Sequence, residues 1–215
     1  MHIEFLLEDL SSKVAMDILI PKIVGREVTY RVIDYLGGGK LPKNLRPKTD
    51  ASKRILLDRL PKLLRGYGHV PGSIVVVICD LDDRDKHIFL SELNNVLDNC
   101  NPKPIAFFCI AIEEFEAWYL GDIEAVIKAY PSADRGILRK YNNDSICGTW
   151  ECLADAVYKG GHLDLKKKGW QSVGMQKSMW ARDISPHMDI ENNSSPSFRH
   201  MRAQLQRAIT TGKER

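Results

Sequence analysis

Acidic residues follow apolar runs in this sequence in a way that could build a cation site. Residues 73–85 read SIVVVICDLDDRD: an uncharged, mostly β-branched run followed at once by Asp80, Asp82, Asp83 and Asp85. Two carboxylates alternating about one position, as Asp80 and Asp82 do, suit a hard cation such as Mg²⁺, which takes one or two carboxylates and keeps water in its other positions. The structural alternative is capping, because Asp also satisfies helix N-termini and complements the positive end of the helix dipole. Ile88, Phe89, Leu93, Val96 and Leu97 recur at helical spacing directly afterwards, so one of these aspartates is expected to be a cap.

The arrangement occurs twice more. His2 to Leu7 read as a strand ending at Glu8 and Asp9, and residues 104–112, PIAFFCIAI, as a buried strand ending in Glu113, Glu114 and Glu116. Ligands of open parallel sheets bind at the C-terminal strand edge. Three acidic strand ends there would bring like charges into one crevice, where they repel unless a cation lies between them. The donors offered are all oxygen, which points to Mg²⁺ or Mn²⁺.

The elements that must position these acids follow from periodicity. A helix over 13–24 is expected, capped by Ser11 or Ser12, then a second strand over 29–35. Helices are predicted over 51–67, 86–97 and 116–130, the first with a solvated basic face. Beyond Pro131 the apolar strands stop, and helices are expected after Gly148, Thr149 and Trp150 to about Tyr158, over 175–188 and over 197–209, before a frayed end. Strand, acid, helix in repetition predicts an α/β fold: a mainly parallel sheet in a core over 1–130, with a helical C-terminal extension over 131–215 packed on it.

Other features narrow the function. Gly37, Gly38, Gly39 and Lys40 lack Walker spacing and the Ser or Thr after lysine, so they read as a flexible basic loop in which Lys40, Lys43, Arg46 and Lys48 could meet phosphates. The net charge of +3 over 215 residues neither requires nor excludes nucleic acid. Cys79 and Cys109 lie inside strand runs and read as reduced core thiols, while Cys147, Cys152 and His162 fit no common zinc spacing. Acids interrupt the N-terminus before any long apolar stretch, against a signal peptide, and no run is long enough to span a membrane, so a cytoplasmic protein is expected. Trp118, Tyr119, Trp150, Trp170 and Trp180 sit at helical positions, where core packing is the ordinary role and base stacking the less common one.

Glu8 after the first strand, the DxD of Asp80 and Asp82 and the later acids resemble the pattern of the TOPRIM domain, shared by topoisomerases, DnaG-type primases and OLD-type nucleases. FLLEDLSSK, LDRLPKLLRGYG, VVVICDLDDRD, IAIEEFEAWYLGD, ICGTWE, SPHMD and NNSSPSF are similar to successive blocks of a TOPRIM-like family of unknown function in bacteria and archaea. Its members often sit beside a gene for an ABC-like or SMC-like AAA ATPase, a pairing typical of phage-defence islands. The resemblance implies a Rossmann-like TOPRIM core in which acids of the three strand ends bind two metal ions that activate water at a phosphodiester. Carried over, Glu8, Asp80, Asp82 and Glu116 become metal ligands, Glu113 or Asp85 further ones, and Lys177 faces the developing phosphate charge.

The usual first motif has Gly after the glutamate, where this chain has Asp9. No tyrosine-nucleophile or template-binding part accompanies the core, so strand passage and priming are not expected. The function expected is a Mg²⁺- or Mn²⁺-dependent nuclease on DNA or RNA, effector of an ATPase partner. The alternative is a non-catalytic scaffold whose helical tail docks on that ATPase. The DxD and the long tail argue against a phospho-receiver, and Arg84 stands where a dehalogenase-type phosphatase has Thr.

Overall fold

A computed structural model describes residues 1–25, 27–46 and 50–213. The strands β1 (His2–Leu7), β2 (Thr29–Asp34), β3 (Ser73–Asp80) and β4 (Ile105–Ala111) form a sheet of order β2-β1-β3-β4 in which every pairing is parallel. The two most buried strands, β1 and β3, take the interior positions, where both faces are covered; Glu4 within β1 is met there by Arg31. Leu7 pairs with Ile78 and Asp80 with Ala111, so the residues following β1, β3 and β4 emerge along one edge.

Side-chain alternation divides the core between two faces. Ile3, Phe5 and Leu7, Ile74, Val76 and Ile78, and Cys109 and Ala111 face one layer of helices. Leu6, Val75, Val77, Cys79, Phe108 and Ile110 face the other, made by α2 (Leu56–Gly68) and α3 (Lys86–Asp98). The first layer contains α1 (Leu10–Val24) together with the helices of the second half of the chain: α4 (Glu116–Leu120), α5 (Ile123–Ala129), α6 (Arg135–Lys140), α7 (Thr149–Val157), α8 (Gly161–Lys167), α9 (Trp170–Ile184) and α10 (Pro196–Lys213). In it α9 packs on α1 and α10 lies along β4. Trp118, Trp180 and Phe198 are fully enclosed, and Trp118 Nε1 donates to Ser197 Oγ at 3.0 Å. The predicted α/β class, parallel sheet and helical C-terminus are therefore present. Cys79 and Cys109 are buried free thiols. Among the described residues, no helix is long and apolar enough to cross a membrane.

Several helix limits differ from the periodicity. The first helix starts at Leu10, because Asp9 is the cap: its Oδ1 accepts from Ser12 N at 2.7 Å and from Ser11 Oγ at 2.9 Å. The expected helix over 51–67 breaks at Arg54, whose φ is +49°, and restarts at Leu56 after a 3-10 turn. The helix α9 begins at Trp170 rather than 175 and ends at Ile184, just before Pro186 in a 3-10 turn. The final helix runs on through 210–213, which periodicity left as a frayed end, and 214–215 lie outside the described residues.

The helix expected over 116–130 is two helices parted at Gly121. Segment 193–195 crosses there, with Ser194 N donating to Gly121 O at 2.8 Å. A Cβ on Gly121 would lie 2.3 Å from Asn193 Oδ1 and 2.8 Å from Ser195 N. Gly121→Ala is therefore expected to lower stability by about 1–3 kcal/mol through overpacking, measured by urea denaturation. A variant within about 0.5 kcal/mol of wild type, the range of neutral surface changes, would show that this close approach does not set the break.

Candidate functional site

The sheet edge brings the acids together through continued pairing beyond the strands. Leu81 N donates to Ala111 O and Asp82 N to Glu113 O, both at 2.9 Å, so the chains leaving β3 and β4 stay joined. Asp82 and Glu113 both adopt left-handed backbone, with φ of +53° and +61°. Each such non-glycine residue costs about 1–2 kcal/mol, which the surrounding contacts must offset.

Glu8 leaves β1 beneath the glycine run. Gly37 N donates to Glu8 O at 2.8 Å, and the N–H groups of Leu56 and Leu57 donate to Gly37 O and Gly38 O at 3.0 and 2.9 Å. This loop, expected to be flexible, is thus tied to both β1 and the start of α2. A Cβ on Gly38 would fall 2.1 Å from Glu8 Oε1, so only glycine lets the backbone lie against that carboxylate. Glu8 Oε1 is buried with no hydrogen-bond partner. Burial, then the charges of Asp82 and Asp9, push the Glu8 carboxyl up to about 8 against the opposing pull of Arg84. Lys40, Lys43 and Arg46 are exposed beyond the glycines, and Lys48 lies outside the described residues.

Two cations answer these acids. Arg84 lies 3.0 Å from Asp82 Oδ2, donates to Asp80 O at 3.3 Å and Gly39 O at 3.2 Å, and stacks over Phe89 at 4.6 Å. Lys177, carried by α9, places Nζ 3.2 Å from Glu116 Oε2 and 3.4 Å from Glu114 Oε2. Burial raises Glu116 despite Lys177, raises Glu114 to about 7, and together with Glu8 and Asp9 holds Asp80 well above the ordinary carboxylate range. Burial opposes the Lys177 charge, but Glu116, Glu114, Asp80 and Asp9 outweigh it and hold the ammonium protonated.

Of the residues singled out from sequence, Glu8, Asp80, Asp82, Glu116 and Lys177 therefore share one electrostatic neighbourhood. Glu113 and Asp85 are engaged otherwise. The Glu113 carboxylate accepts from Cys147 N at 3.1 Å, Gly148 N at 2.9 Å, Thr149 N at 2.8 Å and the Thr149 hydroxyl, and so caps α7. Burial alone would raise it, but these bonds win and hold it below the ordinary range. Asp85 is the exposed cap of α3, its Oδ1 accepting from His87 N and Ile88 N at 2.9 Å.

Glu114, Asp9 and Arg84 join the site without having been singled out. The resemblance pointed to Glu113 rather than Glu114, and the cap was assigned to Ser11 or Ser12 rather than to Asp9. Among the described residues, no three His, Cys, Asp or Glu side chains converge closely enough to hold an ion as they lie. The donor chemistry nevertheless fits a hard cation: carboxylate oxygens only, one of them buried and unpartnered on Glu8. In this arrangement Lys177 and Arg84 supply the counter-charge instead.

These shifts fix a direction for stability. Glu8 keeps a proton in the folded state that the unfolded chain has lost, so stability falls as pH rises from about 4.5 to about 8 and levels off above. Urea denaturation without divalent metal is expected to give a fold less stable at pH 8 than at pH 5, with Glu8 contributing on the order of 2 kcal/mol. Glu8→Gln should remove that part of the slope. A stability that climbs across this window, or an unchanged slope in the variant, would contradict the assignment.

No curated protein and no solved structure matches the chain. The sequence model of the domain of unknown function DUF4276 matches residues 7–206, from the end of β1 into α10, and with nearly all of its length inside that match the chain belongs to the DUF4276 family.

Proposed function

We propose that the crevice hydrolyses phosphodiesters with Mg²⁺ or Mn²⁺ bound, which makes the protein a metal-dependent nuclease. The observation that carries this reading is the gathering of acids from three parallel strand ends around one half-buried lysine, whose charge they favour. Glu8, Asp80, Asp82 and Glu116 would hold the cation, whose chemistry there is to acidify a water and neutralise phosphate charge. Lys177 Nζ would donate to a non-bridging phosphate oxygen, a role that requires a permanent charge. Glu114, pushed up to about 7, can accept or return a proton at its carboxylate near neutral pH, the property wanted of a general acid–base. Arg84 would orient Asp82 from the far side.

The resemblance to TOPRIM-like proteins agrees with this chemistry and adds a partner, an ABC-like or SMC-like ATPase. Pairing of Lys177 with Glu114 and Glu116 then has a regulatory sense: the acids are neutralised from within until assembly or substrate draws the ammonium away. The same pairing, with no convergent triad among the described residues, favours a second reading, a non-catalytic scaffold that binds the ATPase.

Purified protein incubated with single- and double-stranded DNA and with RNA, in Mg²⁺ or Mn²⁺, with and without the ATPase, separates the two. Cleavage is expected, and the double variant Asp80→Ala, Asp82→Ala should lose it by on the order of a thousandfold while remaining folded by circular dichroism. Intact substrate under every condition, or full cleavage by the double variant, sinks the nuclease reading. Biological activity preserved in that variant would establish the scaffold.

A further inference from the structure

We infer that Trp170 and Lys166 form a stacking platform for an unpaired nucleic-acid strand that leads into the acidic crevice. The inference rests on the nuclease reading and specifies its substrate as single-stranded at this end. The tryptophans differ sharply in burial: Trp118 and Trp180 are 0% exposed and Trp150 4%, whereas Trp170, expected in the core with the rest, is 69% exposed. The part of a large indole left in solvent gains no burial for the fold.

Its position relates it to the site. Trp170 opens α9, and Lys177 lies seven residues on, two helical turns and about 10 Å along the same stripe. That span is about three steps of stacked strand at 3.4 Å per step. Between them lies the buried Trp150 ring, 6.4 Å from the Trp170 ring on one side and 6.0 Å from Lys177 Nζ on the other. The exposed indole is therefore linked through the enclosed Trp150 ring to the lysine that meets the acids.

Lysines around Trp170 supply the matching charge. Lys166 Nζ lies 5.5 Å from the Trp170 ring centroid and 6.0 Å from that of Trp150, and among the described residues it has no ion pair. Lys167 pairs with Asp164 at 2.9 Å and Lys168 bonds the Tyr158 hydroxyl at 2.6 Å, which leaves Lys166 as the member best placed to meet a phosphate. An open aromatic face beside an unpaired cation is the combination that binds unpaired bases and their backbone together. Bases within a duplex have both faces covered and cannot use it. Leu163 and Met175 are also exposed nearby, but lysine is depleted from protein interfaces, so this lysine-rich surface favours a polyanion over a protein partner.

Fluorescence anisotropy of the full chain in Ca²⁺, with labelled oligo-dT, oligo-rU and a blunt duplex, tests the platform. Trp170→Ala is expected to weaken both single strands about tenfold, the loss of one base–aromatic stack, and to leave the duplex unchanged. Trp170→Phe should recover most of the affinity, and Lys166→Gln should lower the salt slope by about one. A difference between the dT and rU arms would assign the strand as DNA or RNA. Equal single-strand affinity in wild type and Trp170→Ala, or no binding by wild type, overturns the inference and gives the exposed face to a protein partner. Trp170-dependent binding without cleavage in any metal would instead sink the nuclease reading and leave the platform standing.

Discussion

Like charges at the C-terminal edge of a parallel sheet repel, and the structure around that edge depends on how the repulsion is met. Parallel strands all end on the same side, so acids placed after β1, β3 and β4 cannot avoid one another. Lys177 answers them from α9, a helix of the second half of the chain that reaches the edge by packing on α1. Glu116 is enclosed, and removing the ammonium beside an enclosed carboxylate typically costs about 3–5 kcal/mol. The C-terminal helices are therefore part of the condition for the acids to coexist, and they share one core with the strands they cover.

Local rules are broken where the crevice is built. Asp82 and Glu113 take left-handed backbone without being glycine, and they do so facing each other across one hydrogen bond. Glu8 is pressed against the Gly38 backbone with a buried oxygen unpartnered. Left-handed backbone also occurs at Leu45, Arg54 and Asp144, and unpartnered buried atoms also on Tyr141, Trp180, Ser185 and Arg202. What sets this place apart is that both kinds of cost fall on acids at one sheet edge.

Legibility in the sequence followed the range of the interaction concerned. The strand β3 was readable because an uncharged β-branched run reports its own burial, and the ends at Glu8 and Asp80 were readable because acids there stop apolar stretches. The break at Gly121 was not, since the segment that forces it lies more than seventy residues later at 193–195. Glu113 and Glu114 could not be told apart locally: what engages the first is the turn at 147–149, and what meets the second is Lys177. Asp9 shows the limit from the other side, since the cap was expected at Ser11 or Ser12. Asp85, in contrast, is the cap expected among the four aspartates before α3, its position fixed by the N–H groups of His87 and Ile88. Periodicity likewise treats every tryptophan on a helix alike, and only packing separates Trp170 from Trp118.

Lys177 and Trp170 are on one helix, which on the proposed reading would tie charge balance to substrate contact. A movement of α9 against α1 that drew Lys177 away from Glu114 and Glu116 would leave those acids in need of another cation. It would shift Trp170 by a similar amount, because a helix of fifteen residues moves as a rod. A strand stacked on Trp170 and a metal drawn to the released acids would then favour the same displacement, each strengthening the binding of the other. On that reading the acids, the lysine and the indole would act as one device, carried by the helix that the periodicity of the sequence had begun five residues too late.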